Sequence, residues 1–233
     1  MSNVNRGNPF KVFGRKKGQL KDWEVDWLAE SLPRYRLPEE YSDRATLMQA
    51  LGADPDQGRL LVEVGFGNGD VLAWLAARHP VDRLIGIEVF QEGMVSAIKK
   101  VEKAGCSNVR LIEDHAQPAF ENNIPDSSLD GVYIHFPDPW RKKRHHKRRL
   151  IQHTFLDVVV KKLRPGGFVQ LATDWQDYAL WMIALTEAHP GLTNAIEKGR
   201  FAPRPDEWLE TNFQRRGWRA GRASHYLLYR KNG

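Results

Sequence analysis

The chain has 233 residues, 41% hydrophobic and 27% charged, with 35 Lys and Arg against 29 Asp and Glu for a net charge of +6, the size and balance of one folded globular unit. No stretch approaches the eighteen or so apolar residues of a membrane span, so membrane spanning and disorder throughout are excluded. The single cysteine, Cys106, permits no internal disulfide and no Cys-rich zinc site and is expected as a small core filler, and the polar start Met1 to Phe10 lacks the apolar region of a signal peptide, so the expected location is cytoplasmic.

Residues 1–20 are rich in Asn, Gly and basic groups without a helical or strand period and read as a flexible basic arm. A helical segment follows over 21–58. Leu20, Trp23, Trp27 and Leu28 share one helix face, with Pro33 as the expected stop, and a short helix is expected over Ala45 to Leu51. From residue 59 to 233, short apolar runs alternate with amphipathic stretches, the pattern of a mostly parallel sheet covered by helices. Strands are expected at Leu60 to Val64, Arg83 to Glu88, Val109 to Ile112, Gly131 to Phe136 and Gly167 to Thr173. Helices are expected between them at Gly69 to Arg78, Gln91 to Lys103, Ala116 to Asn122 and Arg149 to Leu163, the last stopped by Pro165-Gly166-Gly167. A helix over Trp175 to Ala188 carries apolar residues expected in the core. The tail offers a short helix near Asp206 to Phe213, an Arg-rich turn RRGWRAGR, and a last strand at His225 to Tyr229.

The first strand runs into Glu63-Val64-Gly65-Phe66-Gly67-Asn68-Gly69 with a helix at once behind it. Glycines there let the chain turn sharply and a ligand approach the backbone. The spacing G-x-G-x-G differs from the dinucleotide fingerprint G-x-G-x-x-G, whose sixth position is here Asp70. Pyrophosphate beside Glu63 and Asp70 would meet like charge. Glu88 closes the second strand, placed to accept from the hydroxyls of a ribose, and Asp114-His115 follow the third, where a side chain meets an adenine edge. Acids around a glycine loop without a phosphate cradle fit a cationic nucleoside, and S-adenosylmethionine is the expected cofactor.

The fourth strand leads into Phe136-Pro137-Asp138-Pro139-Trp140 at the carboxyl edge of the sheet, where open α/β folds bind ligands. Two prolines restrict the backbone around Asp138, and Trp140 offers a face for stacking. The run Arg141 to Arg149, RKKRHHKRR, then holds seven cations, while the rest of the chain carries 28 basic against 29 acidic side chains. Looser clusters lie at Lys11, Arg15, Lys16, Lys17 and Lys21 and at Arg215, Arg216, Arg219 and Arg222. Three basic segments point to a polyanion, and the rigid acid beside an aromatic points to chemistry on a nucleobase.

FPDPW followed by K-x-R-H-x-K-R-R, E-V-G-F-G-N-G upstream and a late T-x-F-x-x-R-G closely resemble the bacterial tRNA (guanine-N7)-methyltransferases. The resemblance runs from Phe13-Gly14-Arg15-Lys16-Lys17-Gly18 to the last strand, and FPDPW with its basic tail is its most specific part. It implies a Rossmann-like class I S-adenosylmethionine-dependent methyltransferase fold and methyl transfer to guanine N7 in the variable loop of tRNA, with tRNA as partner and neither membrane nor obligate protein partner. By motif position it implies cofactor contacts at Glu63, Glu88 and Asp138 beside the loop glycines Gly65, Gly67 and Gly69, with a third acidic contact at Asp114 or His115. Asp138 is also the implied catalytic residue. Substrate contacts are implied at Lys142, Asp174, Thr211, Asn212, Phe213 and Gln214, the last usually Glu in the family. The implied RNA-contacting run is Arg144, His145, His146, Lys147, Arg148 and Arg149, so the two histidines are read as RNA surface rather than metal ligands. A non-enzymatic RNA-binding module would not need Glu63, Glu88 and the glycine loop, a small-molecule methyltransferase would leave the basic run idle, and an NAD-dependent oxidoreductase would need another loop spacing.

Overall fold

The computed structural model describes residues 20–38, 40–206 and 208–233, so the expected arm lies outside it except for Leu20. Helices α1 (Asp22–Ser31) and α2 (Arg44–Ala50) come first. Strands β1 (Leu60–Val64), β2 (Arg83–Glu88), β3 (Val109–Glu113), β4 (Leu129–His135) and β5 (Leu163–Thr173) then alternate with α3 (Asp70–Arg78), α4 (Gln91–Lys103), α5 (Ala116–Asn123) and α6 (His153–Lys162). Helix α7 (Gln176–Ala188), β6 (Leu192–Asn194), α8 (Asn212–Arg219) and β7 (His225–Lys231) complete the chain.

The sheet order is β3-β2-β1-β4-β5-β7-β6. The first five strands are parallel, and β7 pairs antiparallel with β5 and β6. Every residue of β1 is buried, as expected for a parallel strand covered on both faces. Alternation sends Val62 and Val64 into a core with Leu47 and Met48 of α2 and Phe155 of α6, and Leu61 into another with Leu72 of α3 and Ile98 of α4. The chain goes from β1 outward to β3 and then returns to the other side of β1 with β4. That reversal opens a crevice at the carboxyl ends of β1 and β4, where this class of sheet binds ligands.

Several boundaries differ from the sequence reading. Beyond α1 the chain continues through Pro33 as a 3-10 turn, Leu32–Tyr35, because proline is tolerated in a first turn. Helix α6 starts at His153 rather than Arg149, since the basic run forms its own 3-10 helix over Lys143–Arg148. Strand β5 begins at Leu163 and passes through Pro165-Gly166-Gly167, its pairing with β4 shifting between Leu129 and Gly131. In the tail, the helix is Asn212–Arg219 instead of 206–213: the Thr211 hydroxyl caps it by accepting from the Gln214 N–H at 3.1 Å. Most of the expected Arg-rich turn is therefore helical. Cys106 is partly buried against the core beneath α3 and α4.

Candidate active site

A cleft of about 720 Å³ occupies the crevice and is lined by the glycine loop, the ends of β2 and β3, the loop after β4, and Thr211, Phe213 and Arg216. Gly65, Gly67 and Gly69 all adopt positive φ. At Gly69 the requirement is double, because φ is 75° and a Cβ would lie 2.5 Å from that of Ala97 on α4. Helix α4 also braces the loop at Gly93, where a Cβ would lie 2.4 Å from the Gly67 carbonyl oxygen. Lys100 adds polar support, donating to the Asn68 carbonyl at 2.7 Å and pairing with Asp70 at 2.5 Å.

Two acids sit at the floor. Glu63 is 4% exposed, and its Oε2 has no hydrogen-bond partner. Burial, reinforced by the charges of Glu88 and Asp70, pushes its carboxyl up to about 8. Glu88 is held as an acceptor: Gly67 N–H donates to Oε2 at 2.9 Å, and the N–H groups of Val89 and Phe90 donate to Oε1 at 2.8 and 3.3 Å. Burial still raises its pKa against the lowering effect of these bonds. Asp114 accepts from the His115 N–H at 2.7 Å, and both residues line the cleft where α5 begins. A buried Glu92 oxygen without a partner, which the sequence reading did not single out, belongs to the same wall.

Across the cleft, Asp138 is exposed in a loop flanked by two non-glycine residues in the left-handed region, Phe136 at φ 51° and Trp140 at φ 45°. Such conformations cost about 1–3 kcal/mol each and persist only where surrounding contacts enforce them. Arg148 lies over the Trp140 ring at 5.1 Å, and His145 meets its edge at 5.8 Å. Behind Phe136, the partly exposed His135 also lines the cleft; its Nδ1 has no partner, and burial lowers its pKa to about 3. The ring is therefore neutral at physiological pH, packed 4.7 Å from Trp208. Neither His135 nor Trp208 was singled out from the sequence, although His135 closes β4 and so stands at the carboxyl edge of the sheet.

The basic run divides. Lys142, Arg144 and Lys147 are exposed, His145, His146 and Arg148 half-buried, and Arg141 stacks over Trp175 at 4.4 Å. Arg149, expected to contact RNA, is instead buried at 2% exposure, folded inward onto Tyr178 and Trp181 of α7. Gln214, expected to touch substrate, is wholly buried: its Oε1 accepts from Trp208 Nε1 at 2.7 Å, and its Nε2 donates to the Tyr226 hydroxyl at 2.6 Å. It fixes Trp208 against His135 and does not face the cleft. Asp174 accepts from Arg222 Nε at 2.8 Å, and the cap of α7 is Trp175, so Asp174 holds a cation of the C-terminal cluster and does not cap a helix. Phe213 is exposed beside Gly67, and Asn212 opens α8. No group of three or more metal-ligating side chains occurs among the described residues, and none of the described helices is long and apolar enough to cross a membrane.

The mixed, mostly parallel sheet covered by helices is a class I methyltransferase fold. The structure of the aminoglycoside resistance methyltransferase NpmB1 superposes with a TM-score of 0.54 at 17% identity, covering 82% of this chain and 95% of that one. A family model described as "Putative methyltransferase" matches residues 57–227. The tRNA (guanine-N(7)-)-methyltransferase of Magnetococcus marinus is 47% identical over 95% of this chain and 88% of its own length. That of Acidithiobacillus ferrooxidans is 46% identical over 95% and 94%. The chain belongs to the tRNA (guanine-N(7)-)-methyltransferase family.

Proposed function

We propose that the protein transfers a methyl group from S-adenosylmethionine to N7 of a guanine in the variable loop of tRNA. The observation that carries this reading is one cleft with a buried acid bearing an unpartnered oxygen, Glu63, on its floor and the basic side chains Arg148 and Arg216 in its lining, Arg148 belonging to the run that also holds the exposed cations Lys142, Arg144 and Lys147. Family membership supplies the acceptor. The donor set fits the cofactor: Glu63 offers a carboxylate to a cation, and Glu88 Oε2, fixed by one backbone N–H, keeps a lone pair for a ribose hydroxyl, while Oε1 is taken by the N–H groups of Val89 and Phe90. Asp114 or His115 would meet the adenine.

S-adenosylmethionine, when bound, supplies a methyl on a cationic sulfur that departs as a neutral thioether. Guanine N7 carries an in-plane lone pair and no proton, so no residue has to act as a general base there. The chain's task is alignment and charge balance. Asp138, in its constrained loop, orients guanine by accepting from its N–H groups and balances the positive charge that develops on the purine. Lys142, Arg144 and Lys147 bind phosphates, with Phe213 and Arg216 across the mouth of the cleft. Such contacts make tRNA affinity fall as salt rises.

Incubating unmodified tRNA transcripts with methyl-labelled S-adenosylmethionine tests this reading. Label recovered after digestion as 7-methylguanosine from the variable loop is the expected result. Label in another nucleoside, or none despite cofactor binding, contradicts it.

A further inference from the structure

Arg149 is the one cation of the basic run that is fully buried. Its Nε donates to the Pro139 carbonyl at 2.9 Å, while one terminal nitrogen pairs with Asp177 and lies 3.0 Å from His146 Nε2. The guanidinium sits 4.8 Å from the Tyr178 ring centre and 5.2 Å from that of Trp181. All three anchoring side chains belong to α7. The same helix pins the following segment: the Tyr178 hydroxyl accepts from the Ile151 N–H at 3.2 Å, and Trp181 Nε1 donates to the Ile151 carbonyl at 2.8 Å.

The Pro139 carbonyl belongs to the peptide that joins Pro139 to Trp140. The proline ring fixes φ at residue 139 but leaves ψ free. Holding that carbonyl sets ψ at Pro139 and so the plane of the peptide from which the chain continues into Trp140, itself at a left-handed φ of 45°. A guanidinium can do this and pair with a carboxylate at once because its donors form a rigid fork, whereas an ammonium is a single point charge. The Arg149 guanidinium also holds the Asp177 carboxyl below the usual carboxylate range.

We propose that Arg149 is a positioning residue for methyl transfer, tying the Asp138 loop to α7, and that it does not bind tRNA phosphate. The proposal rests on the functional reading above. It also distinguishes two kinds of arginine in a run whose composition is uniform.

Arg149→Lys and Asp177→Asn test it, with Arg144→Gln as the surface comparison. Asp177 is 60% exposed at its side chain, so its substitution keeps the test open if the Arg149 variant folds poorly. At saturating tRNA, Arg149→Lys is expected to lower the single-turnover rate at least about tenfold and Asp177→Asn several-fold. tRNA affinity should stay within about twofold, with the slope of log affinity against log salt unchanged, whereas Arg144→Gln should reduce that slope by about 0.7–0.9. Amide hydrogen exchange over Phe136 to Arg141 should accelerate in both loop variants. The proposal is overturned if Arg149→Lys keeps the wild-type single-turnover rate, or if Asp177→Asn tightens tRNA binding by releasing Arg149. Should the wild type form no 7-methylguanosine, the functional reading fails by itself, and the exchange rates still decide whether Arg149 holds the loop.

Discussion

Asp138→Asn is expected to lower the single-turnover rate of methyl transfer by about 10²–10³-fold, the range found when one preorganised electrostatic partner of a transition state is removed. The substitution is nearly isosteric and keeps one carbonyl acceptor, so the loop and tRNA affinity should change little. What disappears is the negative charge facing the purine as it becomes cationic. The size of the effect depends on rigidity. Pro137 and Pro139 restrict the chain on both sides, Phe136 and Trp140 are held at positive φ, and Arg149 bonds to the Pro139 carbonyl. A carboxylate held in this way needs little reorganisation during the reaction. Full single-turnover activity in Asp138→Asn would remove Asp138 from the role assigned to it.

Glu63→Gln is expected to weaken S-adenosylmethionine binding by about 10–100-fold, the range for losing a charged partner, and to make the empty protein more stable at alkaline pH. Burial raises the folded-state pKa of Glu63 from 4.5 to about 8. Below pH 4.5 the carboxyl is protonated in both folded and unfolded states and has no effect on the difference between them. As pH rises from 4.5 toward 8, the unfolded chain ionises and the folded one does not, so the wild type loses stability, and the loss levels off above pH 8. At one pKa unit per roughly 1.4 kcal/mol the full effect is at most a few kcal/mol. Gln has no such dependence. Melting curves should coincide near pH 4.5 and separate above pH 8, with the variant higher. Cofactor affinity of the wild type should tighten between pH 6 and 8 with release of a proton, because a cation favours the ionised carboxylate, and the variant should lack that dependence. Equal cofactor affinity, or a less stable variant at pH 9, would contradict the assignment of Glu63 as the cation's partner.

Strands β1 and β2 and helix α4 were readable from the sequence to the residue. Their signals are local: Leu, Val and Ile runs bounded by turn residues, and an amphipathic stretch between a strand and Gly105, which adopts φ 67° beyond the helix. The glycine loop and the acids at strand ends were legible for the same reason, since a parallel strand delivers its last residue to the carboxyl edge. What the sequence concealed depends on partners distant along the chain. Arg149 looks like its neighbours in RKKRHHKRR, and only Tyr178 and Trp181, about 30 residues later, turn it inward. Gln214 sits in the matched substrate motif, yet its amide is consumed by Trp208 and Tyr226. The start of α8 was misplaced by six residues: the helix begins where the Thr211 hydroxyl accepts from the Gln214 N–H.

The most direct measurement uses two tRNA transcripts that differ only at the acceptor guanosine of the variable loop, one normal and one carrying 7-deazaguanosine. The second keeps the ring and its N–H edge but has a C–H where N7 would stand. With methyl-labelled S-adenosylmethionine, both should bind with affinities within about twofold. Only the normal transcript should take up label, recovered as 7-methylguanosine. Equal labelling of the 7-deaza transcript would contradict N7 as the acceptor and, with it, the role given to the Asp138 loop.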